Sequence, residues 1–324
     1  MRLAVAAVLF AIGAVASADT VATTGTTGAA TTGTGSDPMP PEDADAAAKL
    51  DPKNMQTLTD DPVLGKAHAI SGEEHPGLVA FTFDDGPNPD TSPIVIDALD
   101  KYDIPATFFI ITQNITGKSK RAEAARAALA RELASGYTVG SHSVTHPNLK
   151  TADGDTLDRE IDGSIKTLAM TAHRPIGLFR PPYGSLSGAG RMRLKKLGVT
   201  EVQWSIDTLD WKAKDADRLR KKTVKMIFDQ NGGVVLMHDR VRLTSQIIAG
   251  VFDDVEAENC RRLADGKEPI WPVSLHYFLK DGKTPRAIPA DIEARTKAYQ
   301  AAFAGRCHLR DDMGGNDGSG SAGK

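Results

Sequence analysis

The sequence predicts an α/β fold built on a parallel sheet with helical crossovers. Two observations lead there. Short apolar runs alternate with helix-period segments through the body of the 324-residue chain, as a strand–crossover–strand repeat requires. Several of those runs also end in acids or histidines, the placement seen where strand carboxyl ends carry the chemistry. An open doubly wound sheet and a closed barrel both satisfy the pattern.

In chain order, the apolar runs predict strands at 78–83, 106–111, 137–140, 177–179, 201–206, 233–237 and 273–275. Helices are expected at 92–102, 121–135, 157–172, 190–196, 216–229, 245–263 and 290–303. The segment 92–102 carries Ile94, Ile96, Ala98 and Leu99; the segment 121–135 is rich in Ala, Arg and Glu and stops at Gly136, a C-terminal cap. Before the body, Arg2 precedes an apolar run over 3–15 and then Ala16-Ser17-Ala18, which reads as a signal peptide over 1–18. Export to the periplasm or the exterior follows, with no stable membrane insertion after cleavage. Residues 19–61, largely Thr, Gly, Ala, Pro and acid, read as a flexible linker. The folded body is assigned to 62–285, a helical extension to 286–312 and a disordered Gly/Ser-rich tail to 313–324. A net charge of −3 with dispersed Lys and Arg argues against a nucleic-acid partner. Cys260 and Cys307, the only cysteines, form either one disulfide or two buried thiols.

Five motifs carry chemistry. Thr82-Phe83-Asp84-Asp85-Gly86-Pro87 ends a strand in two adjacent acids. Strict strand alternation points them to opposite faces, so one can bind a cation while the other handles a proton. In Ser141-His142-Ser143-Val144-Thr145-His146-Pro147, two histidines four apart share one face of a helical turn. One carboxylate and two imidazoles make an open, catalytic type of metal site, with the spare acid beside it. Phe179-Arg180-Pro181-Pro182-Tyr183-Gly184 offers a planar guanidinium fork and a stiffened loop with a backbone donor at Tyr183. Trp204 to Trp211 and Val234 to Asp239 are strands that end in acid, indole and imidazole, and a His oriented by an Asp is the usual construction of a general acid.

Taken in order, Thr-Phe-Asp-Asp-Gly-Pro, Ser-His-Ser-x-x-His-Pro, Arg-Pro-Pro-Tyr-Gly, Asp-x-x-Asp-Trp and Leu-x-His resemble the polysaccharide deacetylase (NodB-homology) family of carbohydrate esterases, over about residues 76–263. The resemblance implies a distorted (β/α) barrel with an incomplete strand ring, forming a single catalytic domain. It implies Asp84 as catalytic base and Asp85, His142 and His146 as ligands of a divalent metal, usually zinc, with cobalt or nickel as substitutes. By the same resemblance Arg180 orients the base, Tyr183 supplies the oxyanion donor, Asp207 tunes His238, and His238 protonates the leaving amine. Trp211, Leu236 and Pro182 match its substrate-binding walls. The implied activity is removal of N-acetyl groups from peptidoglycan or a chitin-like polymer. Competing readings are an O-acetyl esterase acting on xylan, a glycosidase, and a non-catalytic glycan-binding envelope protein. No family pattern covers the segment after Val273.

Overall fold

A computed structural model of the chain describes residues 52–73 and 75–314. The expected signal peptide, most of the expected linker and the last ten residues of the expected tail lie outside the described residues. β1 (Leu78–Gly86), β2 (Ala106–Ile110), β3 (Thr138–Ser141), β4 (Leu178–Phe179), β5 (Thr200–Glu201), β6 (Ile206–Asp207) and β7 (Gly233–His238) pair in the order β5-β4-β3-β2-β1-β7-β6. Every pairing along this path is parallel. β8 (Trp271–Pro272) adds to the start of β1. β9 (Lys280–Asp281) and β10 (Thr284–Pro285) form a separate antiparallel pair.

The period-2 alternation of the strands sorts side chains into two apolar layers. Val79, Phe81 and Phe83 of β1 join Phe108, Ile110, Val235 and Met237 in the layer that the helices cover. Ala80, Phe109, Leu178, Val202 and Val234 form a second cluster inside the curl of the sheet, continued by Val273, Leu275, Phe278 and Leu279. The interior is therefore a packed plug, as in a barrel.

The predicted strand 201–206 is in fact two. β5 and β6 lie at opposite edges of the sheet, and residues 202–205 run from one edge to the other. Val202 N–H donates to the Phe179 carbonyl while Ser205 N–H donates to that of Val234, so this short link closes the ring where strand pairing stops. Ile70 bridges to Val202 at the same place. An apolar run signals burial on both faces and does not report a change of partner, which is why one strand was expected.

Other boundaries shift as well. The helix Pro52–Thr59 lies inside the expected linker, yet Met55 is buried and Ile176 N–H donates to the Leu58 carbonyl, so the packed body begins near residue 52 rather than 62. The predicted helix 157–172 starts at Gly154 and contains a π-helical segment, Asp158–Gly163. The predicted strand 273–275 gives way to β8 and a 3₁₀ turn, Leu275–Phe278.

The final helix, Ala290–Gly314, runs past the predicted end at 303 and takes in the first two residues of the expected tail. It packs Tyr299, Phe303 and Cys307 into the core, with Phe303 edge-on to Trp271. Its Arg295 reaches Asp103 and the Ser135 carbonyl, which precede β2 and β3. The helix therefore covers the amino ends of the strands, away from the acids that end β1. Cys260 and Cys307 form a disulfide that ties it to the helix Arg242–Ala264.

Candidate active site

Polar groups replace the apolar plug at the carboxyl ends of β1, β4 and β7. Along the inner face of β1, Ala80 gives way to Thr82 and Asp84; along β7, Val234 and Leu236 give way to His238. Asp84 and His238 are register neighbours.

Asp85 breaks the alternation. The β1–β2 register pairs Asp84 with Phe109 and Gly86 with Ile110, leaving Asp85 as an extra residue at φ +72°. This bulge turns the second carboxylate toward the same site as the first, where strict alternation would have sent it away. His142 Nε2 stands 3.7 Å from Asp84 Oδ2 and 3.5 Å from Asp85 Oδ1. Asn114 Nδ2 holds the bulge by donating to the Asp85 and Gly86 carbonyls at 2.9 and 3.1 Å. Gly86 is required by close approach: a Cβ there would fall on the buried Asp239 carboxylate, which accepts a hydrogen bond from Ser92 Oγ.

The two histidines converge without the helical turn expected from their spacing. Residues 142–146 form an irregular loop in which Ser143 and His146 have φ of +69° and +63°. Ser143 Oγ accepts from His146 N–H at 2.9 Å. Glu160, almost fully buried on the π-helical segment, accepts from Val144 N–H, Thr145 N–H and Thr145 Oγ at 2.8–3.0 Å. A π-turn shifts side-chain phase relative to a regular helix, and such turns gather at functional sites. Glu160 was not singled out from the sequence, because a Glu in a polar helix carries no signal of burial.

Asp85, His142 and His146 place one ligand atom each within 4.8 Å of the others. Asp85 Oδ1 lies 3.5 Å from His142 Nε2 and 3.3 Å from His146 Nε2, too far for good hydrogen bonds. Ligands ~2.0–2.2 Å from a tetrahedral metal stand roughly 3.3 Å apart, so the spacing suits a cation. Asp85 Oδ1 is also a buried oxygen with no hydrogen-bond partner among the described residues. Burial, opposed by the Asp85 charge, lowers His142 to about 3, so its ring is neutral and its own contacts with the carboxylates are not ion pairs. Its Nδ1 meets the Arg180 carbonyl at 2.7 Å, which makes Nδ1 the donor and leaves the Nε2 lone pair facing the triad. The donor set fits a divalent metal of the zinc type.

Asp84 is 2 % exposed, and Arg180 is fully buried beneath it. Arg180 Nη1 donates to Asp84 Oδ1 at 2.8 Å and to Thr82 Oγ1 at 2.7 Å. Its Nη2 and Nε reach the Gln203 and Val202 carbonyls, filling the gap between β5 and β6, and its guanidinium stacks on the Phe109 ring at 4.1 Å. Burial raises Asp84 above the ordinary carboxylate range, against the pull of Arg180 and His238.

The acid that holds His238 is Asp210, not Asp207. Asp210 is buried; its Oδ1 meets His238 Nδ1 at 2.7 Å and accepts from Trp211 N–H at 2.9 Å. Its Oδ2 accepts from His238 N–H at 2.7 Å and Thr244 Oγ1 at 2.5 Å. Asp207 Oδ1 instead accepts from Leu209 N–H, closing the turn. Both acids belong to the Asp-x-x-Asp-Trp motif; the chain turns between them at the left-handed Leu209 (φ +58°), and Asp210 is the one bonded to β7. Burial lowers His238, but the Asp210 hydrogen bond and charge outweigh it and raise the imidazole to about 9.

The expected wall residues differ in setting. Leu236 and Pro182 are buried, whereas Trp211 is 60 % exposed. Tyr183 has φ +57° and sets its ring edge-on to His146, with centroids 4.6 Å apart. A cavity of about 680 Å³ opens beside Asp85, His146 and Tyr183 and extends past Asn88 to Arg121 and Arg240.

Comparison with known proteins agrees with this geometry. A sequence model described as "Polysaccharide deacetylase" matches residues 71–202. The peptidoglycan-N-acetylglucosamine deacetylase PgdA of Listeria monocytogenes is 30 % identical over 203 residues, 62 % of this chain and 40 % of that protein. The chain thus spans less than half the length of that relative. A chitooligosaccharide deacetylase of Azorhizobium caulinodans is 31 % identical over 183 residues, 55 % of this chain and 80 % of that protein. The crystal structure of the Bc1960 peptidoglycan N-acetylglucosamine deacetylase, in complex with 4-naphthalen-1-yl-N-oxidanyl-benzamide, superposes with a TM-score of 0.52 at 27 % identity, covering 60 % of this chain and 88 % of that one. Fold, motif order and these likenesses agree that the chain belongs to the polysaccharide deacetylase family of carbohydrate esterases.

Proposed function

We propose that the chain is a metal-dependent hydrolase that removes N-acetyl groups from an amino-sugar polysaccharide, peptidoglycan or a chitin-like polymer, and releases acetate. The observation that carries this reading is the convergence of Asp85, His142 and His146 beside Asp84 and His238, in a chain similar to peptidoglycan and chitooligosaccharide deacetylases. A divalent cation held by Asp85, His142 and His146, zinc by the donor set with cobalt or nickel as substitutes, supplies Lewis-acid polarisation of the acetamide carbonyl and of water.

The chain's own groups do the rest. Asp84, held by Arg180, takes a proton from the attacking water. The Tyr183 N–H donates to the oxygen that becomes negative; one such donor typically accounts for roughly 3 kcal/mol of barrier. Asp210 keeps His238 oriented and protonated, so the ring hands a proton to the departing nitrogen. Water and amide are consumed; acetate and a free amine remain. Trp211, Leu236 and Pro182 wall the acetyl group. Export, through a signal peptide at 1–18, is supported by the disulfide, which persists in oxidising compartments. Among the described residues no helix is long and apolar enough to cross a membrane.

The test is mass spectrometry of peptidoglycan fragments, chitin oligomers and acetylated xylan after incubation with metal-loaded and chelated protein, each lost acetyl being a step of ~42 Da set by covalent composition. Loss of acetyl from the amino sugars only with metal is the expected result. Asp84→Asn should keep the metal and lose turnover; His142→Ala should lose both. Turnover retained in Asp84→Asn sinks the base assignment, and release only from xylan sinks the amide reading.

A further inference from the structure

Beyond the catalytic groups, the turn Asp210–Lys212 borders a second feature that they leave unused. A hollow of about 300 Å³ lies between this turn and the helix Ala216–Asp229. Four cationic side chains line it: Lys212, Lys214, Arg218 and Lys222. All four residues are exposed, and among the described residues none forms an ion pair with a carboxylate. The neighbouring cations on the same helix do: Lys221 pairs with Asp217, Lys225 with Asp229 and Arg220 with Asp254. Lys222 Nζ donates to the Thr208 carbonyl at 3.1 Å, which holds that ammonium at the hollow's wall. The one acid of the lining, Asp215, accepts from Arg218 N–H as the helix cap.

The hollow adjoins the turn that carries Asp210 and Trp211 at the candidate active site. Lys212 Nζ lies 5.4 Å from the centroid of the exposed Trp211 ring, and Trp211 directly follows Asp210, which holds His238. An indole beside clustered ammonium groups suits a sugar that bears a negative charge: the ring packs on the apolar face of the pyranose and the cations take the anion.

We propose that this hollow is a subsite for the carboxylate of a sugar adjoining the one that loses its acetyl group, so that the site favours an acidic glycan strand over neutral chitin. The proposal rests on the hydrolase reading and names the substrate class within it. Four like charges around one small hollow repel one another in the free protein, and a carboxylate relieves that repulsion. The attraction is between exposed groups and is screened over about 8 Å at physiological salt.

The experiment uses the full chain, metal-loaded, with two probes: chitotetraose, which is neutral, and the peptide-free tetrasaccharide of alternating N-acetylglucosamine and N-acetylmuramic acid, which carries lactyl carboxylates. KM and kcat are measured by acetate release, and affinity by calorimetry. In Lys214→Glu/Arg218→Glu, the KM ratio of acidic to neutral probe should rise about fivefold or more, as expected for two lost exposed ion contacts. Raising salt should weaken acidic-probe binding to the unaltered protein and flatten in the variant. An unchanged ratio, an equal change with both probes, or a preference for inorganic polyphosphate or DNA without selectivity between the two glycans overturns the proposal. If neither probe loses acetate, the hydrolase reading fails, and the calorimetric ratio still decides the subsite.

Discussion

Cys260 and Cys307 close a loop with a sequence separation of 47, and the bond they form joins the final helix to the helix before β8. The perturbation that tests its role is Cys260→Ser/Cys307→Ser, close in volume to the reduced pair. In the chain-entropy account, a loop of this length removes about 14 cal/mol/K from the unfolded chain, or about 4 kcal/mol at 25 °C. A body of this size loses roughly 2–4 °C in Tm per kcal/mol, so the variant should melt about 8–16 °C lower. The remaining anchors stay in place: Tyr299 and Phe303 in the core, and Arg306 on the buried Glu256 at 2.6 Å. The helix should therefore remain docked, and far-ultraviolet circular dichroism should change little at 25 °C. Because the final helix covers the amino ends of the strands, kcat/KM for acetate release should stay within about twofold, the size of effect left when no group at the chemistry moves. Urea denaturation and an acetate assay on the same preparations decide it. A loss under about 1 kcal/mol would show that the unfolded chain is not the state the bond acts on. An activity loss matching the stability loss would refute the separation of staple and site.

Three further outcomes are expected. In Asp210→Asn, His238 loses the charge that raises it to about 9; its proton is then lost at lower pH, so the alkaline limb of the acetate-release profile should move down by about one pH unit or more. An unmoved limb assigns it to another group. Glu132 is fully buried, both its carboxylate oxygens lack partners among the described residues, and burial, reinforced by the Asp239 charge, raises it well above the ordinary range. The folded chain then binds a proton that the unfolded chain releases, so stability falls as pH rises from about 4.5; Glu132→Gln should raise Tm more at pH 8 than at pH 5, and an equal gain at both argues against a protonated acid there. Glu160→Ala removes three hydrogen bonds from the loop that carries both histidines and should weaken metal binding about tenfold, read by competition with a chelator; unchanged affinity would mean that the loop holds its shape alone.

The sequence by itself determined the local chemistry and the class of fold. The alternation of apolar runs and helical segments placed five strands and seven helices near where they occur, and the runs 78–83 and 233–237 located Asp84 and His238 at strand ends. Those signals are local: periodicity, caps and the residue types a motif contains. What only the tertiary structure decided depends on partners distant in the chain. Alternation placed Asp84 and Asp85 on opposite faces, and the bulge against β2 set both carboxylates facing His142. Helical spacing accounted for the histidine pair, whereas positive-φ residues and Glu160 bring them together. Two acids of one motif were equivalent in sequence until Thr244 and the β7 backbone claimed Asp210. Residues 202–205 read as continuous strand because an apolar run records burial and not the identity of the neighbour. Side-chain period is a property of one strand; convergence on a site is a property of several, held by register, bulges and buried hydrogen bonds that no single stretch of sequence contains.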